Sequence, residues 1–163
     1  MAETLSVVDM LPNKFEPKRN YRWVFSIEGI DAFLMKTAAR PSYTIAETTL
    51  QFINSKRYLA GKLTFGTLSV ALHDPIAPSG AQQVMEWIRT HAESVSGRTG
   101  YADFYKRDCQ INMLDPVGTV VELWDIKGAF ITTANFGTLS YDDESTPSQI
   151  DLTLRFDNCV LQY

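Results

Sequence analysis

The sequence is short of nearly everything that marks an enzyme, a metalloprotein or a membrane protein. Cysteine occurs only at Cys109 and Cys159, with no C-x-x-C pair, so thiolate metal sites and dithiol redox chemistry have no starting point. Two buried thiols in a reducing compartment describe this pair better than a disulfide does. No apolar run approaches the roughly 18 residues of a membrane-spanning helix. Met1 to Val8 places Glu3 where a secretory leader would carry basic residues, so a protein made and kept in the cytosol is expected. Basic charge is scarce too: 15 Lys and Arg stand against 19 Asp and Glu, a net charge of −4. That balance argues against gripping nucleic acid by phosphate neutralisation, though not against letting it slide past.

Catalytic patterns are equally thin. There is no G-x-S-x-G, no G-x-G-x-x-G and no phosphate-cradling P-loop, because Gly61-Lys62 is followed by Leu63. His73-Asp74 is the only local acid–base pair, and it stands at a strand end before Pro75. A structural role fits it better, and a hydrolase built on it would need a nucleophile that the chain does not offer. His91 falls beside Trp87 on a helical stripe and is read as packing. Asp142, Asp143 and Glu144 are consecutive, without the alternate-position spacing of a calcium loop, and are read as a solvated acidic surface. The expectation is therefore no enzymatic activity, no cofactor and no metal.

What the chain does have is alternation. Its 163 residues suit a single domain, with 45% hydrophobic and 21% charged residues, and seven Tyr, nine Phe and three Trp spread over short runs favour strands. Residues 1–19 mix Pro12, Pro17 and charges without a period and read as an arm ordered on assembly. A single β domain is expected over 20–163. Tyr21 to Glu28 alternates as a strand, with Ala32 to Thr37 expected as its hairpin partner. Thr44 to Ile53 is extended. Leu68, Val70 and Leu72 alternate with Ser69, Ala71 and His73 in the stretch Lys62 to Asp74, the strand around which the chain is organised. Ser79 caps a helix expected over Gly80 to Ser94, with Val84, Trp87, Ile88 and His91 on one stripe and Trp87 as the core anchor. Phe104 to Leu114 and Thr119 to Ile126 form a hairpin around Asp115-Pro116-Val117-Gly118. Lys127-Gly128 bends the chain into Ala129 to Ala134, and Gln149 to Asp157 alternates cleanly. The fold expected is mainly β: two packed antiparallel sheets forming a β-barrel or sandwich with one flanking α-helix.

Between two of these strands lies the basic loop Asn54 to Gly61, where Asn54, Ser55, Lys56, Arg57 and Tyr58 combine charge with an aromatic. With an acidic chain around it, a protein-contact loop is the expectation, rather than a nucleic-acid site. Unpaired sheet edges point the same way, since a repeating assembly would satisfy them.

The order of segments resembles the tail-tube proteins of contractile-tailed bacteriophages and, more distantly, the tube proteins of contractile injection systems and type VI secretion. The segments are NYRWVFSIEGIDAFLMKTAARPS, ETTLQFINSKRYLAGKLTF, SVALHD, MEWI, LWDIKGAF and DLTLRFDN, spanning Asn20 to Asn158. The resemblance implies a structural virion protein that forms six-membered rings stacked into a hollow tube, through which DNA passes from capsid to host without specific binding. Sheath protein, baseplate or tube initiator, tape-measure protein and tail terminator would be its partners, in a phage tail assembled in the host cytoplasm. It also implies that the loop Asn54 to Tyr58 reaches the next ring. Asp142, Asp143 and Glu144 could be its acidic counterpart there, and a net-negative lumen would repel phosphate. A tube initiator or an injection-system tube protein is the neighbouring alternative. A monomeric ligand-binding β-barrel is the alternative from another class.

Overall fold

A computed structural model describes Met10 and residues 14–163. The rest of the expected arm, residues 1–9 and 11–13, lies outside the described residues.

Among the described residues the chain forms nine antiparallel strands, most of them marked by period-two alternation. They are β1 (Trp23–Ile27), β2 (Met35–Ala38), β3 (Tyr43–Phe52), β4 (Ser55–Phe65), β5 (Leu68–His73), β6 (Arg107–Leu114), β7 (Val120–Asn135), β8 (Gln149–Arg155) and β9 (Asn158–Leu161). All but β3 and β4 belong to one connected system ordered β1-β6-β7-β8-β5-β2, with β9 added on β7. The system folds over on itself because β7 serves two sheets. Its first half pairs with β6 and β9, while Phe130 to Asn135 pairs with β8. The change of partner falls at the Lys127-Gly128 bend expected from the sequence. Gly128 has φ +67 there, and a Cβ at that position would meet Asp157 Oδ2 at 2.4 Å, so only glycine turns this corner without strain.

The inward faces supply the core. Leu68, Val70 and Leu72 of β5 lie beside Leu154, Leu152 and Ile150 of the neighbouring β8 on one sheet face, and Phe25, Ile27, Ile111 and Ile126 of the other sheet join the same core. The sheets remain a sandwich and do not close into a barrel. Helix α1 (Gly80–His91) packs Val84 and Trp87 into the core. Ser79 caps it by accepting the Gln82 N–H at 3.4 Å, and Asp74 Oδ1 accepts the Ala81 N–H at 3.1 Å. The Trp87 indole N–H donates to the Tyr105 carbonyl at 2.7 Å, so the anchor is buried without an orphaned donor.

Four features depart from the sequence expectations. The segment after β1 is a 3-10 turn (Ala32–Leu34), and β2 pairs with β5, while β1 pairs with β6. A tight hairpin signal was read where non-local pairing won. Residues expected to open the Phe104 strand instead form a short helix, α2 (Ala102–Tyr105). Strand β9 carries no strong period and was not expected. Finally, the basic loop is mostly strand: Asn54 lies in a turn, and Ser55, Lys56, Arg57 and Tyr58 open β4.

Candidate assembly surface

Among the described residues, strands β3 and β4 pair only with each other, forming a two-stranded ribbon apart from the sandwich. At its root the Gly66 N–H donates to the Ser42 carbonyl at 2.8 Å, and the Phe65 ring lies 5.6 Å from that of Phe156. Beyond the root every residue of β3 is exposed, as is every residue of β4 except Phe65. Ten residues of strand extend about 33 Å. Along that length Tyr43, Ile45, Leu50, Phe52, Ile53, Tyr58, Leu59 and Leu63 all face water, Ile53 completely. A lone hairpin is marginally stable in water, and this density of exposed apolar side chains on free edges marks a surface meant to be covered.

Lys56 and Arg57 flank the tip, paired in register with Gln51 and Leu50. The sequence-proposed counterpart, Asp142, Asp143 and Glu144, is an exposed loop. Asp143 accepts the backbone N–H groups of Ser145 and Thr146 at 3.2 and 3.0 Å, which hold its carboxyl below the usual range. Among the described residues no ion pair within the chain joins Lys56 or Arg57 to these three acids.

Sequence reasoning missed Glu122, the one buried charged side chain among the described residues. It shares the inward side of β7 with Trp124 and Ile126, a parity readable from V-E-L-W-D-I. Lys18 from the arm, Arg40 after β2 at 3.5 Å and the Trp124 indole N–H converge on its carboxylate. Burial pushes the Glu122 pKa up, but the Lys18 and Trp124 hydrogen bonds and the two cations outweigh it and hold the group below its ordinary value. The Lys18 contact ties the arm to the sandwich. Nearby, an open cleft of about 740 Å³ between β1 and β2 is lined by Trp23, Phe25, Met35, Lys36, Arg40 and Met113 among others. It separates two strand edges and is not the enclosed interior of a ligand-binding barrel.

The remaining candidates are structural. Asp74 is occupied at the helix N-terminus and His73 is exposed. His91 packs edge-on against Tyr105 with ring centroids 4.4 Å apart. Cys109 and Cys159 are both free and lie on either side of Ile126, one strand each way. Two strand spacings, about 10 Å, exceed the reach of a disulfide. Burial pushes their thiol pKa values up to about 12 and about 11, which leaves neither nucleophilic.

Comparison with solved structures follows the same architecture. A chain of the anti-feeding prophage cap, described as a tube-terminating cap, superposes with a TM-score of 0.75 at 14% identity, covering 97% of this chain and 99% of that one. The sheath/tube terminator of the PVC extracellular contractile injection system gives 0.73 at 14%, covering 92% and 99%. This is the fold of contractile-injection tubes and their terminators. A chain of the PVC sheath-tube complex gives 0.67 at 15% identity and 98% and 99% coverage. No family model and no curated protein matches the sequence. With identities this low, the likeness resides in the backbone.

Proposed function

We propose that this chain is a structural, non-enzymatic subunit that assembles with copies of itself into the hollow tube of a contractile tail or injection particle. The observation that carries the reading is the β3–β4 ribbon, an apolar and basic arm with no strand partner beyond itself among the described residues, on a fold otherwise known in tube assemblies. A surface that only another copy covers is what a head-to-tail, ring-closing assembly requires. Six copies would close the ring and rings would stack, with DNA or another extended cargo passing through. Sheath, baseplate and terminator would contact the tube. The mechanism is passive: the subunit supplies the conduit, and energy comes from contraction of the sheath. Lys56 and Arg57 would meet Asp142, Asp143 and Glu144 of the next ring, and the lumen would be net negative.

The test is negative-stain electron microscopy of the purified chain over a concentration series. Hollow tubes with six-fold end views are expected, and Lys56→Glu with Arg57→Glu should leave folded subunits that no longer stack. A chain that stays monomeric at every concentration, even with preformed baseplates, overturns the reading. The superposition is somewhat closer for the cap and terminator chains than for the sheath-tube chain, which favours a terminator as the second reading. A terminator would cap preformed tubes and not elongate on its own.

A further inference from the structure

We infer that residues 16–22 form a strap over one end of the cleft between β1 and β2, and that the Glu122 carboxylate is its clasp. Engaged, the clasp shuts that end of the cleft. Released, it lets the strap and the β2 lip part together, and the cleft opens.

The cleft is where the connected sheet system begins and ends. Strands β1 and β2 are the two ends of the order β1-β6-β7-β8-β5-β2, so among the described residues no ladder joins them. At one end of the cleft they are held by the short connection between them. The Ile30 N–H donates to the Ile27 carbonyl at 3.2 Å. The Asp31 N–H donates to the Gln83 side-chain carbonyl of α1 at 3.2 Å, and the Gln83 amide donates back to the Asp31 carboxylate at 2.8 Å. That end is a fixed hinge.

The other end is closed by side chains. The register runs Trp23, Met113, Glu122 across β1, β6 and β7, which sets the carboxylate in line with the first residue of β1. The Ala39 N–H still donates to the Ser69 carbonyl at 2.9 Å, so Arg40 is the first residue past the ladder of β2 and β5. Its guanidinium reaches Glu122 on the opposite sheet at 3.5 Å. The strap arrives from a third direction. Glu16, Pro17, Lys18 and Arg19 lie along Leu114 and Pro116 at the β6–β7 turn, the Arg22 N–H donates to the Arg19 carbonyl at 3.2 Å, and Asn20 and Tyr21 border the cleft. Lys18, in the middle of the strap, is the residue on the carboxylate.

One group therefore holds both moving parts. Glu122 is buried, and a buried carboxylate stays charged only against cations. The side chains of Lys18 and Arg40 are each about half exposed, so either can swing into water without disturbing the core. A neutral amide in place of the carboxylate attracts neither, and both segments are freed at once.

The test is peroxide oxidation of the methionines, read by mass spectrometry, with limited trypsin cleavage of the same samples. It compares the parent with Glu122→Gln, Lys18→Gln and Arg40→Gln, each checked for folding by circular dichroism. Met113, behind the clasp, is 4% exposed, whereas Met10 is 68% exposed. Met85 lies on α1 and does not border the cleft. Glu122→Gln is expected to speed Met113 oxidation and cleavage after Lys18 and Arg19 several-fold, with Met10 and Met85 reacting at the parent rate. Lys18→Gln should chiefly speed cleavage after Arg19, and Arg40→Gln chiefly the oxidation of Met113. If Glu122→Gln changes neither rate, the contact is a local ion pair and the clasp is wrong. If Met85 accelerates along with Met113, the carboxylate supports the whole core, and the clasp is again wrong. Should Glu122→Gln not fold, the two cation variants decide, and parent-like protection in both overturns the inference. Neither readout requires assembly, so the outcome is independent of the tube reading.

Discussion

Strand β8 and strand β3 are both regular antiparallel strands, and they differ in what covers them. Ile150, Leu152 and Leu154 of β8 are buried to within a few per cent, whereas no residue of β3 is buried. The sandwich draws its stability from apolar area it covers itself. The ribbon has backbone pairing, but among the described residues only Phe65 at its root is covered. The same element can therefore be an autonomous part or a borrowed one, and the distinction is burial.

Four substitutions break or sharpen this contrast. Trp87→Ala should have the largest effect, about 3–5 kcal/mol, because it empties the core and orphans the Tyr105 carbonyl; urea unfolding of the subunit measures it. Glu122→Gln should cost about 1–3 kcal/mol, since Lys18 and Arg40 lose their shared carboxylate. The folded Glu122 pKa is depressed. Its stabilisation is therefore complete above the unfolded carboxylate value and declines as pH falls through the lower folded one. Wild type should lose stability over that acidic window, and Glu122→Gln should lack that component; unfolding at stepped pH distinguishes them. Gly128→Ala should cost about 1 kcal/mol through its positive φ, read as a shift in denaturation midpoint. Smallest for the subunit is Leu50→Asp, expected within about 0.5 kcal/mol of wild type, yet the same change should abolish tubes in the microscope. A large loss of subunit stability from Leu50→Asp would show that the ribbon belongs to the body after all.

The same contrast explains what the sequence made legible. Alternation reports one buried face, so β1, β5, β8 and the β6–β7 hairpin could be read from it, as could α1 from its stripe around Trp87. Strand β4 could not. N-S-K-R-Y-L-A-G is exposed on both sides, so no period marks it, and its basic, small residues read as a loop. Its conformation is fixed by β3 alone. That Lys56 and Arg57 lie on an exposed segment was legible from composition, but that the segment is a strand was not. The pairing of β2 with β5 was hidden for a different reason. Gly29-Ile30-Asp31 signals a local turn, and nothing within the segment announces that a partner thirty residues on will outcompete β1. The inward parity of Glu122 is written in V-E-L-W-D-I, but the cations that make its burial tolerable, Lys18 and Arg40, lie far off in the sequence.

The passage of β7 from one sheet to the other has a mechanical consequence. The two sheets of this sandwich are held by more than side-chain cohesion, since a single covalent backbone runs through Gly128 and is hydrogen-bonded into both. Sliding one sheet past the other would have to stretch that backbone or strip a whole ladder at once, in place of peeling its bonds singly. A particle driven forward along its axis subjects its subunits to sudden axial and shearing force. In the tube role proposed above, that force would meet a continuous chain at the point where a sandwich of two separate sheets would be weakest.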